Sequence, residues 1–233
     1  MRTPATRTRM ATWLAGGLAF SAIAYGTSVA ATWLRYGRFQ RQPPGGSLLD
    51  KFMPSCDVVE RHETFVNAPS NTTFDAACSV DFGRAAIPRV LFNIREIVMR
   101  GAARNEPAMT GSGILAQAQA IGWGVLSNVP GREIIFGAVT QPWVAEPVFR
   151  ALPPNEFMAF QEPGYVKIAW TLSAREAGSE TSVALTETRA VATDADARSR
   201  FRWYWSLVRP GVVLIRWSLL RAVKSEAERR VQG

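Results

Sequence analysis

The order of its patterned segments constrains this chain most: strand patterns joined by turns, then one long helical pattern at the C-terminus. Tyr165 to Leu172 is the cleanest strand. Val166, Ile168, Trp170 and Leu172 share one face, and Tyr165, Lys167, Ala169 and Thr171 the other. Ala177-Gly178-Ser179 predicts a hairpin turn, with Thr181 to Ala192 as the partner strand. Upstream, Gly122 to Asn128, Arg132 to Thr140 and Val144 to Phe149 are strand candidates, the first two joined by a tight Pro130-Gly131 turn. Asp57 to Asn67, rich in β-branched residues, predicts the first strand. Successive strands joined by hairpins imply an antiparallel sheet.

The helical patterns lie apart from the strands, which implies an α+β fold. After Ala68-Pro69, Ser70 or Asn71 can cap a short helix carrying Phe74, Ala77 and Cys78. Ile87, Val90, Leu91, Ile94 and Val98 give residues 85–100 one apolar helical face. A brief helix through Ala120 precedes the strands, and Pro153-Pro154 starts another through Phe160. Asp194 caps the terminal helix, whose first apolar stripe is Phe201, Tyr204, Trp205 and Val208. Pro210 removes a hydrogen bond and predicts a kink or restart. Val213, Trp217, Leu220 and Val223 form a second stripe, with Arg216, Arg221, Lys224 and Arg229 on the remaining surface. Such a stripe must be buried, and the concave sheet face is the available surface.

Met10 to Leu34 carries no charge and is long enough, as a helix, to cross a hydrocarbon core of about 30 Å. Trp13, Trp33 and Tyr36 sit near its ends, and arginines flank both sides. The same stretch also fits a cleaved signal peptide ending at Ser28-Val29-Ala30. The organisation read from this is residues 1–36 as a basic stub and transmembrane helix (or signal peptide), 37–50 as a Pro/Gly linker, and 51–231 as the folded domain. The domain is placed outside the cytoplasm as a single-pass membrane protein, or secreted if the segment is cleaved.

Charge is uneven. Residues 1–51 carry seven basic and one acidic residue, 52–197 eleven and sixteen, and 198–233 nine and two. Basic ends on an acidic body, with no reading motif, set nucleic acid aside and suit anionic lipid, which the C-terminal basic helix would contact. The two cysteines, Cys56 and Cys78, are separated by a strand and a returning helix, which favours two buried free thiols over a bridge. One histidine, His62, and no Cys/His cluster leave a zinc site without its usual ligands, and no cofactor motif is present.

Phe65-Val66-Asn67-Ala68-Pro69 followed by Phe74, Gly131-Arg132-Glu133-Ile134-Ile135-Phe136-Gly137 with Trp143, Glu162 to Lys167, Thr186 to Arg189, and Phe201 to Trp205 with Arg209-Pro210-Gly211 through Arg216 are the residues of a resemblance. In that order they resemble the helix-grip (SRPBCC) superfamily, which includes START lipid-transfer domains and polyketide cyclase-like proteins, here as a membrane-anchored bacterial branch. The resemblance implies a seven-stranded, curved antiparallel sheet gripping the last helix over an apolar cavity; about six strands are legible here. It implies binding of a hydrophobic or lipid-like ligand and carries over no catalytic set.

Candidate cavity walls are Trp123, Phe136, Trp143, Phe157, Phe160, Trp170, Leu185, Tyr204 and Trp205. The polar candidates are His62, Glu187 and Arg189. Glu187 and Arg189 lie two apart and so share a strand face, either turned into the cavity or left in water with Ser182, Ala184 and Thr186 inward. A cyclase- or dehydratase-like enzyme would need all three in one cavity. A membrane-surface scaffold is the other alternative to a binding domain.

Overall fold

The computed structural model describes residues 23–36, 47–80 and 113–233. Residues 23–35 form helix α1. There follow α2 (Leu49–Phe52), β1 (Val58–Val66), α3 (Ser70–Ser79), α4 (Ile114–Ala120), β2 (Gly124–Val129), β3 (Glu133–Thr140), α5 (Pro154–Ala159), β4 (Val166–Gly178), β5 (Thr181–Ala192) and α6 (Ala195–Gln232). The five strands make one open antiparallel sheet in the order β1-β5-β4-β3-β2. The fold is α+β, with β1 and β2 as sheet edges and a long helix at the C-terminus.

Register sorts the side chains. Across β1, β5, β4 and β3 the cross-strand partners pair even with even and odd with odd. Even-numbered residues face α3 and α6: Val66, Phe136, Trp170, Leu172 and Ala184 pack with Phe74, Leu219, Leu220 and Val223. Odd-numbered residues face α2 and α5: Ile135, Val139 and Ala169 pack with Leu49, Phe52 and Phe157. Both faces of β3 are therefore covered, and all eight of its residues are buried. That explains its unbroken apolar run, where a half-exposed strand would alternate. A Cβ at Gly137 in that strand would come within 2.5 Å of a Leu126 methyl at the β2 bulge, so the Leu126 side chain would have to shift to admit one.

Several expectations shift. Residues 144–149 form no strand; Pro147 removes a donor within the stretch and Pro142 another just before it, and only an isolated Val139–Arg150 bridge remains. Five strands are present among the described residues. β4 runs on to Gly178, so the hairpin turn falls at Ser179 and Glu180. α3 begins after Pro69 with no side-chain cap, Ser70 being its first residue. Residues 37–50 are not linker throughout, since Leu49 is fully buried and opens α2. The helix expected at 85–100 lies outside the described residues.

α6 is a single helix of 38 residues that passes through Pro210 without interruption. Asp194 caps it as expected, its Oδ1 accepting from the Ala197 N–H at 2.8 Å while Oδ2 accepts from Gly164 N–H. The helix survives its proline because both halves are anchored to the same sheet face. Phe201 and Trp205 pack with Val58, Val166 and Ala190, and Leu219, Leu220 and Val223 pack one cluster further along.

Of the expected span, Met10 to Leu34, only residues 23–34 are described. Among the described residues no helix is long and apolar enough to cross a membrane. α1 lies along α6: Arg202 donates from two guanidinium nitrogens to the Trp33 carbonyl (3.1 and 2.8 Å), and Tyr25 donates its hydroxyl to the Leu207 carbonyl at 2.8 Å.

Candidate functional site

The apolar surface between α6 and the sheet is divided by a polar layer. Its sheet side is Glu60 and His62 on β1 with Thr186 and Thr188 on β5, all even-numbered and so all under α6. Its helix side is Arg209 and Arg216, seven residues apart and hence two turns along one helix face. Arg209 grips Glu60 with two nitrogens, at 2.7 and 3.3 Å, and His62 Nε2 lies 3.0 Å from the same carboxylate. Arg216 donates to the hydroxyls of Thr186 (3.2 Å) and Thr188 (2.7 Å) and sits 5.0 Å over the Trp170 ring. Burial lowers its pKa to about 10 against the opposing pull of Glu60, which leaves it a cation at neutral pH.

Trp170 in turn stacks on Phe136 at 4.4 Å, and Trp123 meets it edge-on at 6.1 Å. A column of Phe136, Trp170 and the Arg216 guanidinium thus fills the middle of the grip. The expectation that Arg216 lies on the outer surface is corrected. Trp217, expected inward, is instead 62% exposed, with Leu214 at 60% and Trp203 at 57%. The inward face of α6 reads Trp205, Arg209, Val212, Arg216, Leu219 and Val223, a spacing of threes and fours that includes two arginines. Arginine is assigned to solvent by default when a sequence is read, so the stripe was misplaced by part of a turn.

A recess opens where α1, the edge strand β1 and the first half of α6 meet, with a volume of about 370 Å³. Trp205 supplies its aromatic wall, and Arg35, Tyr36, Cys56, Asp57, Glu60 and Arg209 supply polar groups. Its two carboxylates are engaged: Asp57 accepts from Arg198 (3.0 Å) and from the Ala192 N–H (2.9 Å), and Glu60 is held by Arg209. The Tyr36 hydroxyl, in contrast, is shut from solvent with no hydrogen-bond partner. Leaving such a group unpaired costs about 1–3 kcal/mol. Burial and the Asp57 charge push the Tyr36 pKa up against Arg198 and Arg202, so the phenol keeps its proton. Burial likewise raises the Cys56 thiol. A second recess of about 260 Å³ lies further along β1, between His62, Thr64, Trp217 and Lys224.

Glu187 and Arg189 fit neither alternative drawn from the sequence. They are odd-numbered and lie on the face away from α6, yet they are buried, at 1% and 3% exposure, because α2 covers them. Arg189 Nε donates to Glu187 at 2.7 Å, and one terminal nitrogen reaches Asp50 (2.7 Å) and the Met53 carbonyl (2.9 Å). Burial disfavours the Arg189 cation, but its bonds to Glu187 and Asp50 outweigh this and raise its pKa. The pair clamps α2 to the sheet. The sheet therefore stands between this pair and His62, and the three polar candidates share no cavity.

The apolar candidates divide in the same way. Phe136, Trp170 and Trp123 lie on the α6 side, as do Trp143, Tyr204 and Trp205 nearer the start of that helix. Phe157 and Phe160 pack on the opposite face, and odd-numbered Leu185 belongs to that face too. Trp205 alone of the nine lines either recess. Cys56 and Cys78 are free thiols and half-buried. Tyr36, Arg35, Glu60, Arg209 and Arg216 were not singled out as site residues from sequence. Glu60 and His62 sharing a strand face was the one signal available.

No protein-family model matches the chain, and no curated protein matches it. Solved structures of related shape include a hypothetical protein from Helicobacter pylori, 8% identical, with 81% of this chain and 99% of that one covered and a TM-score of 0.39. The ZhuI aromatase/cyclase from a Streptomyces species is 14% identical, with 75% and 95% covered and a TM-score of 0.29. The di-domain ARO/CYC protein BexL is 15% identical, with 73% and 46% covered and a TM-score of 0.26. Likenesses this distant say nothing about what the chain does.

Proposed function

We propose that this chain is a helix-grip domain that binds a hydrophobic, lipid-like small molecule at a membrane, to which residues 10–34 attach it. The observation that carries this reading is the recess of about 370 Å³ walled by Trp205, within the range of about 300–1,000 Å³ common for small-molecule sites. The contact of α1 with α6 supports the membrane part of the reading, because it brings residues 23–34, the described part of the apolar segment, beside that recess. The cyclase-like alternative lacks support, since His62 lies across the sheet from Glu187 and Arg189. Mass spectrometry of solvent extracts of the purified full chain tests the proposal. A reproducible apolar compound is expected, reduced in Trp205→Ala; wild-type protein that is repeatedly empty and takes up no added fatty probe refutes it.

A second reading, contact of α6 with anionic membrane, is favoured by the exposed Trp203, Leu214 and Trp217 on a helix rich in arginine. The two are compatible, since a carrier of lipid-like molecules works at the bilayer surface.

A further inference from the structure

Resting on the binding reading above, we propose that the recess between α1, β1 and α6 recognises the anionic head of an amphipathic molecule, with its apolar tail laid on Trp205. Every acid lining the recess is already engaged, whereas its donors are not all spent. Asp57 is held by Arg198 and the Ala192 N–H, and Glu60 by Arg209 and His62. The Arg35 side chain makes no hydrogen bond or ion pair among the described residues. Arg209 spends Nε and one terminal nitrogen on Glu60, which leaves its other terminal nitrogen. The Tyr36 hydroxyl is buried and unpartnered.

Three unspent donors, two of them on permanent cations, belong to residues that line one space. A carboxylate or phosphate oxygen satisfies them together, with the planar guanidinium groups suited to oxyanions. A cationic head meets only carboxylates that already hold arginines there, and a purely apolar ligand leaves Tyr36 unpaired. A volume of about 370 Å³ holds a head group and a short length of tail, so a long tail leaves through the open side. Nothing in this arrangement depends on Glu187, Arg189 or the column of Phe136, Trp170 and Arg216.

The test irradiates the full chain with a diazirine-bearing palmitic acid and, separately, with its methyl ester, and maps the labelled peptides. The acid is expected to label residues 31–36, 56–60 or 205–209 about tenfold more than the ester, the ratio that one charge-assisted hydrogen bond supports. Tyr36→Phe should lose about tenfold of the acid labelling while leaving ester labelling unchanged. The same variant sheds an unpaired hydroxyl, so its thermal midpoint should hold or rise, which separates lost recognition from lost folding. Arg35→Gln, at an exposed position, should lower the acid-to-ester ratio as well. Equal labelling by acid and ester, or labelling confined to Trp123, Phe136 and Trp170, overturns the anionic-head site and leaves hydrophobic binding standing. No labelling by either probe overturns both.

Discussion

Arg189 shows how much one side chain can hold in place. It joins Glu187, Asp50 and the Met53 carbonyl behind the sheet, and Arg61 approaches Glu187 from β1 at 3.6 Å. Arg189→Met should cost about 3–5 kcal/mol in chemical denaturation, because it strands the Glu187 carboxylate in a buried setting. Arg189→Met combined with Glu187→Leu should recover a large part of that loss; a double variant no better than the single would show that the charge is not the cause. Glu133 is a smaller case with a readable sign. Burial raises its pKa, opposed by the Thr171 hydroxyl at 2.9 Å and by Arg132, with Glu187 adding to the rise. The folded chain therefore keeps this proton to higher pH than the unfolded one. Stability is lost as pH climbs from the ordinary 4.5 through the raised folded value. Glu133→Gln keeps an acceptor for Thr171 and carries no charge. Its denaturation midpoint should exceed the wild type's at neutral pH and converge with it in acid.

Elements were legible to different degrees, for physical reasons. β1, β4, β5 and α5 stood out because alternation or a leading proline fixes them locally. Residues 144–149 misled because apolar residues suggest a strand even where Pro142 and Pro147 leave too few donors to join one. The Pro210 expectation failed because packing of both halves of α6 outweighs one lost hydrogen bond. That account makes Pro210→Ala stabilising, by about 1–3 kcal/mol, since the helix is already continuous there and regains a bond to the Ser206 carbonyl. A lower melting temperature would mean that the proline sets a bend the sheet requires. The site was less legible than the strands. Its residues come from α1, β1 and α6, far apart in sequence, and the decisive ones are Tyr36, which read as an interfacial anchor, and arginines that read as surface. Even the Glu187–Arg189 pair, noticed correctly as sharing a face, was misjudged. No strand pattern reveals that a four-residue helix covers the second face of a sheet.

At the scale of the whole molecule, the charge asymmetry meets the architecture. The basic C-terminal segment is α6, whose sheet-facing side is packed and whose outer side carries Trp203, Leu214 and Trp217. Contact of that side with anionic vesicles predicts flotation that is weakened in Trp203→Ser with Trp217→Ser at every ionic strength, yet persists through the proposed attachment by residues 10–34. Both proteins should float less as salt rises, because both keep the α6 arginines, and identical flotation of the two at every ionic strength would remove that side of α6 from the membrane contact. The central claim is narrower: a small apolar-tailed molecule sits between the edge strand and the terminal helix. It is tested most directly by a crystal structure of the full chain purified with its extractable lipid retained. The account predicts elongated density against Trp205, its head between Tyr36, Arg35 and Arg209. A recess holding only water or the chain's own side chains, in protein that releases no apolar compound, would contradict it.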